Sequence, residues 1–104
     1  MSWFKNKAKE PVGEIVDYKQ IINDRLYSTK DSKLICKFNE SNSLYVTDKG
    51  TYFKLTGYGL PRHIPYEIYL LSENRAKKMI TSYLPIEKAT EILKDVFKTV
   101  VEPG

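Results

Sequence analysis

Cysteine and histidine are almost missing from this chain: Cys36 and His63 are the single representatives among 104 residues. One cysteine excludes an intrachain disulfide and with it a stapled, secreted scaffold. One histidine excludes a metal centre built from several imidazoles, and one thiol excludes the zinc-ribbon spacings. Long apolar runs are also lacking. Nowhere do about 18 apolar residues follow one another, and the start, "MSWFKNKAKEP", has no stretch of signal-peptide length. These absences set the expectation of a soluble, cytoplasmic protein. A Gly-rich phosphate loop is missing too, because Gly57-Tyr58-Gly59 is not followed by Lys and Ser or Thr.

Excess charge is small. Seventeen Lys and Arg against 13 Asp and Glu give a net charge of +4, and the two signs interleave, which favours an acidic partner only weakly. Hydrophobic content of 41% and charged content of 29% are ordinary globular values, enough for one self-supporting core. The organisation expected is a flexible N-terminal tail over residues 1–13, punctuated by Pro11 and Gly13, and a single domain over residues 14–104. Trp3 and Phe4 stand out in the tail, either folding back on the domain or forming a docking peptide.

Within the domain, Asn23-Asp24 between short apolar segments predicts a tight hairpin, since both residues tolerate positive φ. Thr29 to Lys33 reads as a turn of helix capped by Thr29 or Asp31, followed by a strand that sets Leu34, Cys36 and Phe38 on one face. In "SLYVTDKGTYFKLTGYG" the chain reverses at Asp48-Lys49-Gly50, with Gly50 in the left-handed conformation. Two registers compete there. A three-residue loop pairs Thr47 with Thr51, sets Tyr45 on the face of Phe53, and leaves Val46 with Tyr52 and Lys54. A four-residue loop groups Leu44, Val46, Phe53 and Leu55 against Tyr45, Tyr52 and Lys54, and burial selects it because it keeps Lys54 off the apolar face.

"TGYGLPRHIPYE" reads as a loop, and "EIYLL" as the last strand. Ser72 then caps a helix with Glu73 in its first turn and Ala76, Met79, Ile80 and Tyr83 at helical spacing. Pro85 opens a second helix whose stripe is Ile86, Ala89, Leu93, Val96, Phe97 and Val100. The fold class is therefore α+β: an antiparallel sheet of four to five strands, with two C-terminal helices packed on one face.

Catalysis is poorly provided for. Cys36 lies on a core-facing strand, so its pairing with His63 as nucleophile and base is a remote arrangement, and no two carboxylates are brought together by spacing. No catalytic residue, metal ligand or cofactor is expected. The candidates for contact are Tyr45, Tyr52, Lys54, Tyr58, Arg62 and His63, with Trp3 and Phe4 from the tail. The tyrosines admit three readings: cover by another part of the chain, stacking of nucleic-acid bases with help from Lys37 and Lys54, or a protein-binding patch.

The segments "KQIINDRLYSTKDSKLICKF", "SLYVTDKGTYFKLTGYG" and "IYLLSENRAKKMI" resemble a group of small bacterial, phage and mobile-element proteins. Tyr27, Thr29, Leu44, Tyr45, Thr47, Lys49, Gly50, Tyr52, Phe53, Leu71 and Ser72 carry the resemblance, over roughly residues 20 to 97. The chain departs from that pattern after Gly57 and in its Trp3-Phe4 tail. The resemblance implies a mobile-element accessory protein and supplies no catalytic residues. Together with the lack of a catalytic constellation it sets the leading expectation: a non-enzymatic protein that binds and inhibits a host protein, a bacterial defence nuclease being the target type, as in anti-CRISPR or anti-restriction proteins. The alternative is a small basic nucleic-acid-binding accessory protein. An uncovered sheet face or free edge strand would also suit a homodimer.

Overall fold

The computed structural model describes residues 16–58 and 64–104. The expected tail, with Trp3 and Phe4, and the loop residues Arg62 and His63 lie outside the described residues. Among the described residues six strands and two helices follow in chain order: β1 (Lys19–Ile22), β2 (Arg25–Ser28), β3 (Lys33–Asn39), β4 (Asn42–Val46), β5 (Tyr52–Tyr58), β6 (Ile64–Leu71), α1 (Glu73–Tyr83) and α2 (Ile86–Phe97). This is the expected α+β architecture, with the strands divided between two sheets. β1 and β2 form a separate hairpin, while β3 to β6 form a four-stranded antiparallel meander.

The hairpin turns at Asn23 and Asp24, both at positive φ (51° and 64°), the backbone that matches the twist of its flanking strands. Directly after it, the expected helical turn does not form. Thr29 is buried, and its hydroxyl accepts from the Tyr18 N–H at 2.9 Å and donates to the Val16 carbonyl at 2.8 Å. With its side chain engaged across the hairpin, Thr29 cannot cap a helix. A turn closed by Ser32 N–H to the Thr29 carbonyl at 3.3 Å leads into β3 instead.

Two cores lie on opposite faces of the meander. Against the helices pack Cys36, Leu44, Ala76, Ile80, Ala89, Ile92, Leu93 and Phe97. Under the hairpin pack Tyr27, Tyr45, Phe53, Leu55 and Ile68, joined by Val16, Tyr18, Ile22 and Tyr66. Gln20 ties the hairpin to the sheet's edge: its side-chain oxygen accepts from the Ile68 N–H at 2.9 Å and from the Tyr18 hydroxyl at 3.1 Å. The hairpin thus acts as the second cover that a two-sided sheet requires.

This double cover decides the register at the β4–β5 turn. Val46 pairs with Tyr52, Tyr45 with Phe53, and Leu44 with Lys54, which is the three-residue loop and not the four-residue loop that burial selected. Thr47 closes it twice, with its N–H bonded to the Thr51 carbonyl at 2.9 Å and its hydroxyl accepting from the Thr51 N–H at 3.1 Å, while Gly50 sits at φ 85°. Burial favours the four-residue loop only where one face of the sheet is wet. With both faces covered, Phe53 and Leu44, each fully buried, belong to different cores.

β3 is also corrected. A register shift between Leu34 and Cys36 places Leu34 opposite Tyr45 and Cys36 opposite Leu44, so Leu34 leaves the face it was expected to share with Cys36. Ile35 and Cys36 both pack toward the helices, and Leu34 stands 46% exposed. β5 and β6 extend into the segment read as a loop. Pro65 fits because β6 is an edge strand, where a missing N–H breaks no ladder bond. Gly57 allows a second irregularity: at φ 122° its N–H reaches the Ser41 carbonyl at 3.0 Å.

Both helices start near where the sequence puts them. The Ser72 hydroxyl accepts from the Arg75 N–H at 3.1 Å, and Pro85 is the cap of α2, one position before the expected first turn. Ile92 joins the buried stripe of α2, whereas Ile86 and Val100 stand outside it, 79% and 72% exposed. Val100 leaves because Lys98 adopts the left-handed conformation (φ 55°) and Thr99 N–H turns back to the Leu93 carbonyl at 2.9 Å.

Candidate functional site

The structure separates the two tyrosines that the four-residue register sets side by side on one face, and covers both of them. Tyr45 is 7% exposed and its ring stacks on Phe53 at 5.1 Å and 9° under the hairpin. Tyr52, on the opposite face, stacks on Phe97 of α2 at 5.1 Å and 24°. Burial raises both phenol pKa values, with the neighbouring Tyr66 adding to the shift at Tyr45 and the Glu73 carboxylate adding to it at Tyr52. Both rings are covered by this chain, so the expected tyrosine face is core on one side and helix interface on the other. Tyr58 ends β5, half-buried. Cys36 is buried in the helix-side core, where desolvation pushes its thiol up to about 11 against the opposing charge of Lys88. Such a thiol is a poor nucleophile at neutral pH.

Among the described candidates, Lys54 helps to form a hollow. It projects toward the helix side from the middle of β5, with its ammonium 5.3 Å from the centre of the Tyr69 ring. Two adjoining hollows, about 270 Å³ and about 280 Å³, share Lys54, Met79 and Tyr83. One continues to Phe38, Asn39 and Asn42 on β3 and β4, and the other to Leu71, Arg75, Lys78 and Ser82. Together they form a groove between α1 and the part of the sheet that the helices leave open.

The origin of the groove is a helical stripe. Arg75, Lys78, Met79, Ser82 and Tyr83 recur at i, i+3, i+4, i+7 and i+8 along α1, next to the stripe of Ala76 and Ile80 that is driven into the core. Arg75 and Lys78 are exposed, and Tyr83 is 67% exposed with Phe38 set edge-on against it at 6.0 Å and 67°. Three cations and an aromatic ring therefore surround one trough, and among the described residues no carboxylate lines it. Glu67 lies one row further along the same sheet face, opposite Thr56. Helical spacing alone puts Met79 and Tyr83 on the core stripe of α1 and does not single out Arg75 and Lys78. The i, i+3, i+4 spacing was the available signal, but it does not tell a core stripe from a groove stripe.

A second hollow, of about 300 Å³, separates the hairpin from the β4–β5 turn. Arg25 and Lys49 there are matched by Asp31 and Asp48, so it has no preferred sign of ligand. Among the described residues no group of three or more His, Cys, Asp or Glu side chains gathers to hold a metal, and no helix is long and apolar enough to cross a membrane. No known family model, curated protein or solved structure matches the chain.

Proposed function

We propose that this chain is a non-enzymatic accessory protein that binds nucleic acid through the groove between α1 and the open part of the sheet. The observation that carries the reading is the meeting of Lys54, Arg75 and Lys78 around a trough that no carboxylate among the described residues lines. A negatively charged backbone gains from each of these cations by releasing its condensed counterions. The sign of the groove also speaks against an inhibitor that imitates nucleic acid, which would have to present negative charge.

The test is binding as a function of salt. Three phosphate contacts predict a slope of log K against log salt of roughly −2 for a single strand, hence a loss of about 20-fold between 50 and 200 mM salt. Arg75→Glu with Lys78→Glu should abolish most of the binding, while Lys94→Glu, on the exposed side of α2, should leave it nearly unchanged. Salt-independent binding, or equal loss in both variants, would overturn the reading.

Inhibition of a host protein, a defence nuclease included, is the second reading, and one observation favours it. Ile21 and Leu26 form a cross-strand pair on the outer face of the hairpin, 71% and 62% exposed. Paired apolar side chains left in water are the kind of anchor that a protein interface buries. Ile21→Lys with Leu26→Lys should then release a host protein captured by the wild-type chain, and unchanged capture would remove this role.

A further inference from the structure

We infer that the ligand of the groove is a single strand, with one base stacked on Tyr83. The inference rests on the nucleic-acid reading above and names the form of the ligand. Its basis is that the most exposed ring of the groove is also a supported one. Tyr83 lies at the end of α1 with most of its surface in water, while Phe38 braces it edge-on at 6.0 Å. A braced ring loses little rotational freedom when a second ring lies on its open face. Tyr69 is less suited to this role, because the Lys54 ammonium already occupies a position over its ring.

The layout around Tyr83 matches what a single strand presents and a duplex withholds. Arg75 stands about two turns, and Lys78 little more than one turn, before Tyr83 on the same stripe of α1, so a backbone running along the helix meets two cations before its base reaches the ring. Each of the two hollows is small, at about 270 and 280 Å³, and each is walled by the sheet on one side and α1 on the other. A double helix offers its phosphates but keeps its base faces stacked inside, so it can use the cations and not the ring. Stacking on an aromatic side chain tolerates any base, which predicts weak sequence preference.

The experiment is fluorescence anisotropy of the full chain with three labelled probes at low salt: oligo(dT), oligo(U) and a duplex of the same length. Both single strands should bind at least about ten-fold more tightly than the duplex. Tyr83→Ala should weaken single-strand binding by roughly 5- to 150-fold, the usual worth of one stacked base, and leave duplex binding unchanged. Tyr83→Phe should restore it, which a role confined to the tyrosine hydroxyl would not. Oligo(dT) and oligo(U) distinguish DNA from RNA as the source of the strand, and preference for either over the duplex supports the inference. Equal affinity for strand and duplex, or no effect of Tyr83→Ala, overturns the inference and leaves the groove's nucleic-acid role standing. Loss of all three interactions to an excess of poly-glutamate would show an acidic peptide as the better ligand and overturn it as well. Absence of binding to every probe would remove both readings together.

Discussion

Replacing Tyr45 by alanine separates a core tyrosine from a contact tyrosine more sharply than any binding assay. The ring is 7% exposed and lies flat on Phe53, which is itself fully buried. A buried tyrosine removes roughly 150 to 250 Å² from water, and at about 25 cal/mol/Å² that corresponds to roughly 4 to 6 kcal/mol. Large aromatic-to-alanine changes in cores cost about 3 to 5 kcal/mol, so about 4 kcal/mol is expected here. That is a large share of the roughly 5 to 15 kcal/mol typical of a whole domain. Tyr52→Ala should cost less, about 2 to 3 kcal/mol, because that ring is only partly covered by Phe97. Tyr83→Ala should cost about 1 kcal/mol, the worth of its edge contact with Phe38. Urea unfolding followed by far-ultraviolet circular dichroism reads all three. The four-residue register would leave Tyr45 and Tyr52 side by side on one face, with equal costs. Equal losses for the two variants, or a Tyr45→Ala loss below about 1.5 kcal/mol, would refute the two-core arrangement.

The two left-handed glycines should respond unequally to alanine. Gly50 at φ 85° has no atom within 4 Å of an added Cβ, so only backbone strain of about 1 kcal/mol is expected. Gly57 at φ 122° would bring a Cβ to 2.6 Å from the Pro65 carbonyl oxygen and the Tyr66 Cα, both backbone, and about 1 to 3 kcal/mol of overpacking should add to the strain. Equal melting temperatures for the two variants would show that β6 yields at that point. Ser72→Ala should lower stability by about 1 kcal/mol through loss of the bond to the Arg75 N–H, an effect that Ser72→Asp should largely restore. The thiol of Cys36 ionises near 9.0 when exposed and at about 11 when folded, so the folded state holds its proton longer than the unfolded chain does. The stability this contributes is complete below pH 9 and is lost as pH rises toward 11. Cys36→Ala should flatten that decline in thermal melts taken across the window, and an unchanged slope would assign the decline to other groups.

The elements were legible where local chemistry acts alone. Asn23-Asp24 turned as a tight hairpin, Ser72 capped α1, and Gly50 took its left-handed turn, because each depends on residues no more than four apart. At the β4–β5 turn two registers compete, and the chain adopts the three-residue one that burial alone does not select. A three-residue loop ending in a left-handed Gly is a common hairpin form, and the Thr47 hydroxyl reinforces it by accepting from both Lys49 and Thr51 N–H groups. The competing argument counted apolar residues and assumed a single buried face. That assumption fails because β1 and β2 cover the second face, a contact made by Gln20 with Ile68 across 48 positions of sequence. The same long-range event moved the candidate site. With Tyr45 and Tyr52 committed to two different cores, the most exposed ring lining the groove is Tyr83, on a helix whose spacing by itself reads as core. Arg75 and Lys78 become a site only because the sheet lies beneath them with Lys54 on its inner strand β5, a juxtaposition that no spacing within α1 contains. If the groove is the working surface, the sequence features that specify it are therefore the ones that fix how α1 lies on the sheet, namely Ala76 and Ile80 packed without any exposed surface. Enlarging Ala76 to leucine should then tilt or lift α1 and weaken binding through residues that never touch the ligand, whereas Asn74→Leu, on the exposed side, should leave binding intact.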